Sequence, residues 1–303
     1  MRKTNLLLLL CCFFLSLPAY PQTDGYAPAH EVQIYYKIFG NGTPILLING
    51  GPGGNSEGFG YIASLLAEKH QAIIFDQRGT GKSTLPRLDS STITMDLMIA
   101  DIEALRKHLK IEKWVVMGQS FGGMLGAYYA SHYPQRVVGL IFSASGGLDL
   151  KFMEYAQARI QANLTEEQRF SLAYWGGKVR QGDTTQNTLS ERAKVLAHAY
   201  VVHKEHVNTI ATRILQINMQ INEIVFQDLI KIKFDCKPIL RKFKAPVLIL
   251  QGRQDIIAPE IAKTAHKTLR NSRLVMLDNC SHYGWLDQKE QYMREVNRFM
   301  ASL

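Results

Sequence analysis

Cysteine is scarce in this 303-residue chain: Cys11, Cys12, Cys236 and Cys280 are the only four, and the first pair sits in an apolar amino-terminal stretch. No Cys/His run has the ligand spacing of a zinc site, so no metal is expected. Cys236 and Cys280 could form one disulfide or stay free. Beyond the first twenty residues there is no repeat and no low-complexity tract, which leaves one large domain with an insertion or two small ones. An acidic excess is also missing, since the formal net charge is +9. The lysines and arginines are scattered, with a mild cluster at Lys231, Lys233, Lys237, Arg241, Lys242 and Lys244. A nucleic-acid surface would concentrate such residues and interleave aromatics, so this cluster reads as a solvated basic face and no nucleic-acid partner is expected.

The amino terminus has a character of its own. Arg2 and Lys3 precede the apolar run Leu6 to Leu15, and Ser16, Pro18, Ala19 and Pro21 follow. A basic start, an apolar middle of about a dozen residues and a small or turn-forming end describe a secretory signal, placed here at residues 1–21. The run falls short of the about twenty apolar residues that span a bilayer. Export to the periplasm or beyond is therefore expected, with no stable membrane insertion once the segment is removed. An uncleaved anchor is the rival reading. Removal of residues 1–21 takes away Arg2 and Lys3, which lowers the charge to +7, together with Cys11 and Cys12.

From about residue 30 strands and helices alternate. Val32–Tyr36 alternates like an edge strand, and Pro44–Asn49 is a nearly continuous apolar run. Tyr61–His70 reads as a helix, Gln71–Asp76 as a buried strand, and residues 94–110 as an amphipathic helix with Met98, Ile102, Leu105 and Leu109 on one face. Trp114–Gln119 and Val137–Phe142 are the next strands. Residues 148–244 hold helical stretches and no convincing strand. Strand character returns at Pro246–Leu250 and Arg273–Asp278, and Gln288–Met300 closes the chain as a helix. This order predicts an α/β fold: a mostly parallel sheet with helices on both faces. The core covers residues 22–147 and 245–303, and 148–244 form an inserted helical cap. Such a cap lies over the carboxyl ends of the strands, where open α/β sheets bind ligands.

Chemistry concentrates at three strand ends. Gly118-Gln119-Ser120-Phe121-Gly122 follows an apolar strand and precedes a helix-like run, the setting in which a serine hydroxyl is pushed out at the top of a sheet. A serine hydroxyl is a weak nucleophile and needs a base, which in turn needs an orienting acid. In such sheets the partners follow in the order Ser, Asp or Glu, His. Asp255 stands on the loop after Pro246–Leu250, and His282 on the loop after Arg273–Asp278. Asp255 could instead cap the helix near Pro259, in which case Asp278 is the alternative acid. The oxyanion of a tetrahedral intermediate needs two N–H donors. Phe121, directly after the serine, is one candidate. Gly51, within Asn49-Gly50-Gly51-Pro52-Gly53-Gly54, is the other. The run Gly79-Thr80-Gly81-Lys82-Ser83-Thr84 imitates the end of a phosphate-binding loop, but Asp76 stands where the pattern requires glycine, so nucleotide binding is not expected.

These motifs resemble those of the α/β-hydrolase superfamily, and within it the prolyl aminopeptidase (proline iminopeptidase) group, over roughly residues 30–150 and 240–303. Asn49-Gly50-Gly51-Pro52-Gly53 is similar to the group's H-G-G-P-G, with asparagine for histidine. Asp76-Gln77-Arg78-Gly79-Thr80-Gly81-Lys82-Ser83 matches its D-Q-R-G-x-G-x-S, and Gly252-Arg253-Gln254-Asp255 fits its acid turn. Ser281-His282 stands where glycine-histidine is commoner. The resemblance implies release of an N-terminal residue, often proline, from short peptides, with cap acids holding the substrate ammonium. The Ser/His/Asp chemistry itself calls for no cofactor. Glu154, Glu191, Glu205, Glu223 and Asp228 are the cap's conspicuous carboxylates, and none aligns with the group's pattern. A carboxylesterase acting on small esters is the alternative. A non-catalytic binding protein on the same fold is the alternative from another class, and the complete Ser/Asp/His set argues against it.

Overall fold

A computed structural model describes residues 22–303; the proposed signal segment at 1–21 lies outside the described residues. Eight strands form one sheet: β1 (Gln22–Ala29), β2 (Val32–Phe39), β3 (Thr43–Ile48), β4 (His70–Phe75), β5 (Trp114–Gln119), β6 (Val137–Ser143), β7 (Val247–Gly252) and β8 (Ser272–Leu277). Their spatial order is β1-β2-β4-β3-β5-β6-β7-β8. The β1–β2 and β2–β4 pairs are antiparallel; every later pair is parallel. The helices of the first half are α1 (Gly60–Leu66), α2 (Met95–His108) and α3 (Phe121–His132). Between β6 and β7 come α4 (Phe152–Asn163), α5 (Glu166–Arg180), α6 (Gln186–Ala197), α7 (Val207–Leu215), α8 (Met219–Lys231) and α9 (Lys237–Leu240). Last are α10 (Pro259–Thr268), α11 (Gly284–Asp287) and α12 (Lys289–Met300).

The central strands are apolar throughout because both sheet faces are covered. Along β5, Trp114 and Val116 enter one hydrophobic core with α2, α3 and α10. Val115 and Met117 enter the other, with α1 and α12. In β7, Val247 and Ile249 face the first core and Leu248 and Leu250 the second. The period of two in side-chain direction thus divides each apolar run between two layers. α2 is opened by Thr94, whose hydroxyl accepts from Leu97 N at 3.2 Å. Asp96 in its first turn and Arg106, Lys107 and His108 in its last complement the helix dipole.

The segment between β6 and β7 leaves the sheet through a stem. Cys236 N donates to Leu148 O at 2.8 Å, and Asp149 forms a bridge with Asp235. α9 lies beyond this stem and packs on α3 and α10 of the sheet layers.

Two local expectations change. Val32–Tyr36 is not at the edge: β1 pairs along the whole of β2 and takes that place. β1 carries Pro28, which has no N–H to give a ladder and is tolerated where one side of a strand stays unpaired. The helix read over Tyr61–His70 stops at Leu66, and His70 already pairs with Thr43 in the sheet. Cys236 and Cys280 are both free and buried.

Candidate active site

Ser120 occupies the turn between β5 and α3 with φ 56° and ψ −122°, a backbone region costly for a residue with a Cβ. Its surroundings hold it there. Ser120 N donates to Ser143 O at 3.1 Å, and Ser120 O accepts from Gly123 N and Gly146 N, both at 3.0 Å. Space is the reason for glycine two residues on, since a Cβ on Gly122 would stand 2.1 Å from Ile48 O. The sharp turn points the hydroxyl into a cavity of about 380 Å³ between sheet and helical cap.

Gly51 and His282 line that cavity with Ser120. Asp255 does not reach it. It is fully buried behind His282, and His282 Nδ1 meets its Oδ1 at 2.7 Å. The carboxylate is otherwise satisfied by Gln251 Nε2 on Oδ2 at 2.7 Å and Ile257 N on Oδ1 at 2.9 Å. An ionised carboxylate only accepts, so the Nδ1 proton lies between the two groups and Nε2 is left as the basic nitrogen. Edge-on contacts with the rings of Tyr200 and Tyr283, at 5.3 Å and 5.4 Å between centroids, fix the imidazole plane. Burial pushes the Tyr200 hydroxyl above its ordinary pKa, so it stays protonated in this wall. No hydrogen bond joins Ser120 to His282; the two share the cavity wall, and such contacts commonly tighten only when substrate is bound. Asp278, the alternative acid, is 76 % exposed and paired with Arg253. Asp255 does not cap α10 either, whose N-cap position is Ala258.

Phe121 N and Gly51 N have no protein acceptor among the described residues, as expected of the first N–H of a helix and of a turn kept open. The glycine loop is braced from below. Asn49 Nδ2 donates to Gly54 O at 2.9 Å, and Gln77 Nε2 donates to Asn49 O and Oδ1 at 3.0 and 3.2 Å. Gln77 belongs to the stretch that imitates a phosphate loop, and that stretch is filled by its own acid. Asp76 accepts from Ser56 N and Oγ and from Lys82 N. A Cβ on Gly81 would lie 2.1 Å from Asp76 Oδ2. Next in the run, Arg78 forms a buried two-pronged ion pair with Asp101, at 2.7 and 2.8 Å.

The cap bonds to all three loops that carry these groups. Asn218 N donates to Gly53 O at 3.0 Å, and Asn222 Nδ2 to Pro52 O at 3.0 Å. Arg159 Nε donates to Asp255 O at 2.9 Å. His282 N donates to Tyr200 O at 3.0 Å, and Asp287 Oδ1 accepts from Val202 N and His203 N. The ceiling comes from α6 to α8, with Leu189, Arg192, Leu196, Tyr200, Arg213 and Ile217 facing inward. None of these stands out in the sequence, where they merge into ordinary amphipathic helix. Glu154, Glu191, Glu205, Glu223 and Asp228 do not line the cavity. Glu191 pairs with Lys194, and Asp228 accepts from Met95 N at 2.8 Å.

This sheet order, with a serine at the β5–α3 turn and an Asp–His pair after β7 and β8, is the arrangement of α/β hydrolases. The alpha/beta hydrolase fold family matches residues 43–288, and the chain belongs to that family. Among its relatives, the proline iminopeptidase of Lacticaseibacillus rhamnosus (strain Lc 705) is 28% identical over 291 residues, covering 92% of this chain and 98% of the relative. The crystal structure of the proline iminopeptidase from Mycobacterium smegmatis superposes with a TM-score of 0.73 at 23% identity, over 92% of this chain and 98% of that one. An esterase from Exiguobacterium antarcticum superposes with a TM-score of 0.70 at 19% identity, over 91% and 99%.

Proposed function

We propose that the protein is a serine hydrolase that cleaves an acyl bond through a covalent Ser120 intermediate. The observation that carries this reading is that His282, backed by the buried Asp255, shares the wall of one cavity with Ser120. Ser120 Oγ adds to the acyl carbon while its proton passes to His282 Nε2. Asp255 holds the ring in the required tautomer and stabilises the imidazolium that forms. The oxyanion is taken by Gly51 N–H and Phe121 N–H. The bond from the acyl carbon to the leaving nitrogen or oxygen then breaks, and His282 gives that atom the proton. Water repeats the sequence: its oxygen joins the acyl carbon, its proton goes to His282, and Ser120 is released with its hydroxyl restored.

Release of an N-terminal proline or similar residue from short peptides is the reaction the relatives support. Hydrolysis of small esters is a second reading, favoured by the cavity itself: no carboxylate lines it among the described residues, so it offers no counter-charge to a peptide ammonium. Turnover of a proline arylamide against a panel of p-nitrophenyl esters separates the two; rapid ester cleavage without arylamide turnover removes the peptidase reading. A fluorophosphonate that labels the folded protein at Ser120, and fails on Ser120→Ala, is expected. Absence of labelling overturns the hydrolase reading altogether. The basic and apolar start of the chain supports export, and a tagged protein retained in the cytoplasm would refute it.

A further inference from the structure

Arg213, on α7, reaches the cavity from a seat that is built for it. Its guanidinium carbon lies 4.8 Å from the ring centre of Phe59 and 4.8 Å from that of Tyr283. Both rings are buried and lock edge-on against Trp285, at 5.5 and 5.3 Å between centroids. Gly58 leaves room for the side chain: a Cβ there would stand 2.5 Å from Arg213 Nε and 2.7 Å from its Cδ. A planar cation held between two aromatic faces keeps its N–H edge free for a ligand and loses little freedom on binding one. Among the described residues Arg213 has no carboxylate partner, and neither has Arg192, which enters the same cavity from α6. Glu57, beside Gly58, accepts instead from Gln216 Nε2 at 3.3 Å. Arg213 also borders a second cavity of about 350 Å³ with His206 and Lys289 in its wall, again without a carboxylate.

We propose that Arg213, with Arg192, forms a subsite for an anionic group on the substrate, so that the preferred acyl donor carries a carboxylate some atoms away from the scissile carbonyl. This rests on the serine-hydrolase reading and specifies its substrate class. Two cations in a largely apolar enclosure repel an ammonium and gain a charge-assisted, two-pronged contact from a carboxylate. The planar fork matters as well as the charge, because stacking fixes its orientation.

The test compares p-nitrophenyl hydrogen adipate with the hexanoate and the 6-aminohexanoate esters, which share one chain length and differ in the terminal charge. The full chain is expected to show kcat/KM for the hydrogen adipate at least about tenfold above either other ester, with the preference shrinking in high salt. In Arg213→Gln the ratio of adipate to hexanoate turnover should fall about tenfold or more, and Arg213→Lys should recover part of it. Equal loss on all three esters would assign Arg213 to cap packing alone and overturn the proposal. So would faster cleavage of the hexanoate or aminohexanoate. Calorimetric binding to Ser120→Ala supplies a readout free of turnover: monomethyl adipate should bind and methyl hexanoate should bind at least about tenfold less tightly. Failure of monomethyl adipate to bind refutes the anion subsite, whereas failure of fluorophosphonate labelling refutes the hydrolase reading.

Discussion

Replacing Asp255 by asparagine tests the acid assignment at a position where geometry leaves no good alternative. The carboxylate accepts three hydrogen bonds: His282 Nδ1 and Ile257 N on one oxygen, Gln251 Nε2 on the other. If the amide oxygen takes the first position, its NH2 faces the NH2 of Gln251. Relief would require Gln251 to flip, which forfeits its bonds to Ile257 O at 3.1 Å and Gly252 O at 3.3 Å. If the amide nitrogen takes the first position, it opposes the Ile257 N–H and forces His282 into the tautomer whose Nε2 carries the proton. That imidazole is no base. In both arrangements the negative charge that steadies the imidazolium is gone. A substitution of this kind lowers kcat by about 10⁴-fold in a serine protease, and a loss of 10³- to 10⁴-fold, about 4 to 5.5 kcal/mol of barrier, is expected here. Burst and steady-state kinetics on a p-nitrophenyl ester measure it, with circular dichroism and thermal melting checking the fold. Asp278→Asn is the matched control: its carboxylate is 76 % exposed and touches only Arg253, so kcat should change less than about twofold. An Asp255→Asn enzyme within tenfold of the parent, or an equally damaged Asp278→Asn, refutes the assignment.

Two further outcomes follow from close packing. A Cβ on Gly50 would lie 2.4 Å from Gln119 Oε1 and 2.6 Å from Ser120 Cβ, so Gly50→Ala must push the serine or the glycine loop aside. A displacement of about 1 Å at such a site costs about a hundredfold in rate, so kcat/KM and fluorophosphonate labelling should fall together by that amount, and unchanged kinetics would contradict the approach. Burial pushes the Cys236 thiol up to about 12 and the Cys280 thiol higher still, so neither forms a thiolate at pH 8 in the folded protein. Iodoacetamide should modify both only in guanidinium, as read by peptide mass spectrometry; modification under native conditions would show that one is accessible.

The parts of the site legible in the sequence are those where chain order and strand ends coincide. Ser120, Asp255 and His282 each follow a short apolar run in a parallel sheet, and such runs deliver their next residues to the same edge. The Asp-Gln-Arg stretch was legible as a group signature, but its work was not. In the fold Gln77 braces Asn49 and Asp76 is spent on Ser56 and Lys82 N, contacts that no local pattern encodes. β1 escaped because a flanking strand containing Asp24, Gly25 and Pro28 lacks the apolar alternation that marks a strand packed on a core. The sequence overextends α1 because Lys69 and His70 continue a helix-compatible composition up to a strand. The cavity ceiling was hidden for a different reason. Leu189, Arg192, Tyr200 and Arg213 come together through packing of α6 against α7, which no local pattern encodes.

The cap's bonds to the glycine loop, the Asp255 loop and the His282 loop carry a consequence for protein engineering. Specificity in this architecture is not a detachable module. A roof transplanted from a relative brings its own inward-facing side chains, yet the same graft removes the plugs at Asn218, Asn222, Arg159 and Tyr200 that hold the floor in register. Chimeras that copy those four sockets along with the new roof should inherit its selectivity without surrendering turnover, whereas those that copy the roof alone should lose speed toward every substrate at once.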